Sequence, residues 1–158
     1  MKKAYSMMEL IFVIVIIGIL ASVAAPKLFV TKDDAVKAQL LNTIQEIKKG
    51  IEAYAASEYI DNGVKKYPDR LCKKVGSYTG CPGSKPLFEN ILQTPSVPRN
   101  GKHVGWDSYK DDPKKYVFFP KNNSDKYYVF SYEPNTGEFK CDSTSADTKK
   151  LPCSDLGM

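Results

Sequence analysis

An uncharged run from Leu10 to Ala25, apolar at every position except Gly18 and Ser22, follows directly on a single acidic residue, Glu9. A helix made from it is apolar on every side, and such a helix must be enclosed by lipid, by other helices or by a large core. A chain of 158 residues with 42% apolar content and a mean hydropathy of -0.36 has little core to offer. Beyond Pro26 aliphatic residues are sparse, and the apolar content leans on Tyr (10) and Phe (7). The composition fits one domain plus an extension and excludes a multi-domain enzyme. With 23 basic and 18 acidic residues the net charge is +5, which suits solubility and does not by itself mark a nucleic-acid binder.

Three readings of the N-terminus compete. Lys2 and Lys3, the apolar run and Ser22-Val23-Ala24 have the outline of a secretory signal peptide, but Glu9 stands at the entrance of the run and Pro26 just past the expected cut. A plain transmembrane anchor fits by length, since Tyr5 to Ala25 spans roughly 31 Å at about 1.5 Å per residue. It leaves Glu9 unexplained, because a carboxylate at membrane depth costs several kcal/mol unless paired. A cut after Ala4 on the cytoplasmic face supplies the partner: the new amino group of Tyr5 lies one helical turn from Glu9, or within reach of a neighbour's Glu9. The short basic leader, the cut, the aromatic first residue, the Glu fifth after the cut and the apolar helix resemble the N-terminal signal of type IV pilins and type II secretion pseudopilins. Ala4 takes the place usually held by Gly and Tyr5 that of Phe, while Glu9, Gly18 and Pro26 match the family's Glu and its helix-softening Gly and Pro.

Lys2 and Lys3 on the short leader keep the N-terminus cytoplasmic, so everything after Pro26 is expected outside that membrane. Pro26 is read as a kink, since the helical apolar pattern resumes beyond it. Val36, Leu40, Ile44, Ile47, Ile51, Tyr54 and Ala55 recur at spacings of three and four, with Asp33, Lys37, Glu46, Lys48 and Glu52 on other faces. This predicts an amphipathic helix that stops at Asp61-Asn62-Gly63. Joined to the apolar segment it makes a helix roughly 80 Å long at about 1.5 Å per residue. The Tyr67-Pro68 pair after the Asn-Gly turn adds to the resemblance.

Cysteines stand at 72, 81, 141 and 153. Neither local spacing is that of a zinc half-site. Three connectivities are open, and in an oxidising space the local pairs Cys72–Cys81 and Cys141–Cys153 are expected, each contributing on the order of 2 to 3 kcal/mol. Strands are predicted at Tyr116–Pro120, Tyr127–Tyr132 and Glu138–Cys141, the last two joined as a hairpin through Glu133-Pro-Asn-Thr-Gly137. Alternation places Tyr128, Phe130 and Tyr132 on one face, with Trp106 and Phe88 in the core. From Pro82 to Pro113 little regular structure is expected beyond a short helix at Leu87–Leu92.

No catalytic constellation emerges. His103 is the sole histidine and has no nucleophile motif beside it. Asp142 and Asp147 with Ser143, Thr144 and Ser145 could offer oxygens to calcium, but the spacing is not that of an EF-hand. Neither a metal, a cofactor nor enzymatic activity is expected. Lysine pairs at 48–49, 65–66, 73–74, 114–115 and 149–150, interleaved with tyrosines, open one alternative: a competence-type pilin whose head holds DNA or a secreted substrate.

The fold class expected is α+β. The resemblance implies a pilin-like lollipop with residues 1–4 as leader, 5–26 as transmembrane and polymerisation helix, 27–60 as amphipathic helix and 61–158 as a periplasmic or extracellular head with a small antiparallel sheet. It also implies cleavage after Ala4, methylation of Tyr5, and polymerisation into a pilus or pseudopilus guided by Glu9. The implied partners are other pilin subunits, the prepilin peptidase, the inner-membrane platform with its ATPase, and membrane lipid before assembly.

Overall fold

The computed structural model describes residues 6–72, 87–94, 96, 98–109, 112–144 and 147–158, of which residues 23–31 are described by backbone alone. The fold is α+β: a long helix α1 (Met7–Asn62), four strands, and a 3₁₀ turn at Cys153–Leu156. The chain divides into two units, residues 1–36 and 37–158.

Helix α1 starts where a Ser supplies the cap. Ser6 is non-helical, and its Oγ accepts the Met8 N–H at 3.3 Å. The helix continues through Pro26 instead of ending there. It stops at the expected Asn-Gly: Gly63 takes φ +71, and its N–H donates to the Tyr59 carbonyl at 2.9 Å. Among the described residues no helix is long and apolar enough to cross a membrane. The expected transmembrane half at 5–26 is therefore not supported by these residues, whose described side chains in the apolar run stop at Ser22, short of the about 20 residues a span needs.

Within residues 37–158, Leu40, Ile44, Ile47, Ile51 and Ala55 are buried, while Tyr54 of the predicted stripe is half-buried. The stripe follows the 3.6-residue period of the sequence. Strands β1 (Gly105–Ser108), β2 (Lys115–Phe119), β3 (Tyr128–Glu133) and β4 (Glu138–Cys141) form an antiparallel meander in the order β1-β2-β3-β4. The β3–β4 hairpin closes as predicted, with Glu133 opposite Glu138 and the Gly137 N–H donating to the Glu133 carbonyl at 2.8 Å.

Opposed residues share a face of the sheet. One face carries Trp106, Phe118, Tyr128, Tyr116, Phe130, Tyr132 and Phe139, all buried. Phe130 stacks on Phe139 at 5.5 Å, and Phe88 meets Trp106 edge-on at 5.1 Å. The segment that leaves α1 meets two buried phenols, of which Tyr116 also donates its hydroxyl to the Pro113 carbonyl at 3.1 Å. Tyr132 OH donates to the Pro68 carbonyl at 2.7 Å, and the Leu71 N–H donates to Tyr116 Oη at 3.0 Å.

Two expectations are corrected, and one feature was not foreseen. Strand β1 lies in the stretch read as irregular, because Gly105-Trp-Asp-Ser is too short to show alternation and owes its place to pairing with β2. Residues 87–92 form a turn, with Phe88 at φ +68 and the Leu92 N–H on the Phe88 carbonyl at 2.8 Å. A left-handed residue cannot continue a helix. Burial on the sheet is also two-sided: Val117, Phe119 and Val129 form a second cluster on the opposite face, with Tyr127 packed against it.

Candidate assembly segment

The N-terminal part of α1 holds the residues singled out for assembly. Every large apolar side chain from Met7 to Leu20 lies between 41% (Ile16) and 85% (Met7) exposed, on all sides of the helix. Covering such a side chain is worth about 1.5–3 kcal/mol. Summed over the segment, this exceeds the 5–15 kcal/mol that holds a typical domain together. The segment therefore needs an apolar enclosure that residues 6–22 do not give one another. The one hydroxyl among residues 7–22 is already spent. Ser22 Oγ donates back to the Ile19 carbonyl at 2.7 Å, so the hydroxyl makes no demand on a neighbour.

Glu9 is exposed at the first turn of α1 and is the only ionisable side chain of residues 7–22. Its charge sits favourably at the positive end of the helix dipole. Ser6 was not singled out by sequence reasoning, yet Ser6-x-x-Glu9 has the spacing of a capping box, and that signal was legible. Gly18 lies mid-helix, where a Cβ would meet nothing within 4 Å. Packing among the described residues therefore gives no reason for glycine there, although glycine costs a helix about 1 kcal/mol relative to alanine. Ala4 and Tyr5 lie outside the described residues, and for Pro26 only the helical backbone is described.

In the head, Cys141 and Cys153 form the expected disulfide. Cys72 is buried and disulfide-bonded; Cys81, its expected partner, lies outside the described residues. His103 is exposed on a turn, its N–H on the Asn100 carbonyl at 3.2 Å. The carboxylates considered for calcium are engaged by the protein. Asp142 accepts from Thr144 Oγ1 at 2.6 Å and from the Thr144 N–H at 2.9 Å, and faces Lys150 Nζ at 3.5 Å and Lys115 Nζ at 3.8 Å. The Thr144 hydrogen bonds, then the two ammonium groups, hold its carboxyl below the usual range. Asp147 accepts the Tyr127 hydroxyl, which also holds its carboxyl low. Ser145 lies outside the described residues, and among the described residues no cluster of three metal-ligating side chains occurs.

Among the described residues, three of the lysines named for DNA meet carboxylates. Lys65 meets Glu52 at 3.0 Å, and Lys115 and Lys150 share Asp142. Outside the predicted pairs, Lys140 meets Glu138 at 2.9 Å. Lys65 and its carboxylate are solvated, whereas Lys150 is buried on Asp142. Comparison with known protein families, with curated proteins and with solved structures finds no match to this chain.

Proposed function

We propose that the chain is a pilin-like structural subunit that polymerises through the N-terminal part of α1. The observation that carries this reading is the all-round exposure of the apolar side chains from Met7 to Leu20 beside a single carboxylate, Glu9. Lipid encloses the segment before assembly, and the helices of sibling subunits enclose it afterwards. The prepilin peptidase cuts after Ala4 and methylates Tyr5, leaving an amino group within reach of a neighbour's Glu9. In an apolar surrounding that pairing is worth far more than in water, and it sets the axial register of each added subunit.

In this account the subunit sits in the bacterial inner membrane with its N-terminus cytoplasmic and its head periplasmic. The assembly platform and ATPase then extract it into a pilus or a type II secretion pseudopilus. The head contributes surface, and no enzymatic role is assigned to it. Substitution Glu9→Leu tests the pairing. Cleavage after Ala4 is expected to persist while polymer recovered from the cell surface or periplasm falls at least about tenfold, the effect of removing roughly 1.4 kcal/mol per contact. Normal polymer from Glu9→Leu would show that the charge pairing is wrong.

A further inference from the structure

The C-terminal segment is tied to the sheet at several points around one disulfide. The Tyr127 N–H donates to the Lys149 carbonyl at 3.0 Å, and the Leu151 N–H donates to the Tyr127 carbonyl at 2.8 Å. Tyr127 OH donates to Asp147, and Cys141 is bonded to Cys153. Between these lies an ion pair unlike the two others, among the described residues, that exclude Asp142. The side chains of Lys150 and Asp142 are only 5% and 10% exposed, whereas Lys65–Glu52 and Lys140–Glu138 are more than half exposed on both partners. Among the described residues Lys150 Nζ makes no hydrogen bond; Asp142, which Lys115 also faces at 3.8 Å, is the carboxylate paired with it at 3.5 Å, and the more exposed Asp147 also feels its charge.

Stability alone does not account for this arrangement. Removing an ammonium from water costs several kcal/mol, and a well-packed apolar residue of the same volume often serves stability as well or better. What a buried pair does supply is register, since a segment docked one residue out leaves the charge unpaired. The placement is apt: Asp142 directly follows Cys141, and Lys150 precedes Cys153 by one short turn of chain.

We propose that the Asp142–Lys150 ion pair guides disulfide formation, docking the C-terminal segment before oxidation so that Cys153 meets Cys141 instead of Cys72 or Cys81. In the oxidation step the two thiols lose two protons and two electrons. The acceptor is a small-molecule disulfide such as oxidised glutathione, which is reduced to two thiols as the Cys141–Cys153 bond forms. The ion pair transfers nothing; it holds the two sulfurs in reach of each other.

The test reoxidises the full chain, reduced and denatured and then returned to detergent solution, in a glutathione redox buffer. Remaining thiols are blocked, and the disulfides are mapped by mass spectrometry. Wild type is expected to give Cys141–Cys153 almost exclusively. Lys150→Met keeps the stem and loses the charge, and the native share should fall two- to threefold, toward the about one in three of undirected pairing among four cysteines. Lys150→Arg should retain the wild-type share, as should Lys140→Met, which breaks an exposed pair on the same strand. Native pairing in Lys150→Met, or an equal loss in Lys150→Arg or Lys140→Met, would overturn the proposal.

Discussion

Gly50 occupies a helix interior where alanine would be the better helix former by about 1 kcal/mol. Its absent side chain is explained by Ile91: a Cβ at position 50 would overlap the Ile91 carbonyl oxygen, a backbone atom that cannot rotate aside. Overpacking of this kind costs about 1–3 kcal/mol, so Gly50→Ala is expected to lose up to a net ~2 kcal/mol in a denaturant titration. Equal or greater stability would mean that the loop at 91 is free to retreat. The buried phenols make a pH statement at the same scale. Burial, then the bond to Asp147, pushes Tyr127 up to about 12, and burial raises Tyr116 and Tyr132 well above the ordinary value near 10. Each folded value exceeds the unfolded one. The stabilisation is therefore complete below about pH 10 and is lost as pH rises through about 12. Spectrophotometric titration should show these phenols ionising late or only together with unfolding, and ten tyrosines ionising together near pH 10 would contradict the burial.

At the scale of elements, one helix carries two patterns with two consequences. Ile47 is fully buried and Ile17 is 58% exposed, although both lie in α1. Replacing Ile47 by Ala should cost the head about 2–5 kcal/mol, whereas Ile17→Ala should leave head unfolding unchanged and weaken polymerisation instead. Unfolding midpoints and polymer yield, measured on the same two variants, separate these roles. Periodicity made the Leu40–Ala55 stripe legible, and turn chemistry did the same for Gly63 and for the β3–β4 hairpin. Strand β1 was not legible, because its four residues are defined by a partner strand rather than by their own pattern. Nor was the second cluster at Val117, Phe119 and Val129, since alternation assigns one side of a strand to solvent and the sequence does not say that Tyr127 packs there. At the candidate site the Ser6 cap was visible as a spacing, while the open space around Gly18 required coordinates.

For the whole molecule, the division at residue 36 separates two kinds of chain. Residues 37–158 bury their own stripe and both faces at the centre of the sheet, fastened by Cys141–Cys153. Residues 6–22 of the first unit leave their large apolar side chains uncovered and carry one carboxylate, Glu9. A low mean hydropathy of -0.36 is the average of these two compositions. In the proposed function the first unit is processed into a polymerising helix whose new amino group answers Glu9. The mass and N-terminal sequence of the mature protein, isolated from its native membrane, test that claim most directly. The account predicts a chain that begins at Tyr5 and carries one added methyl group on its amino terminus; a chain that begins near Ala25, or one that keeps Met1, would contradict it.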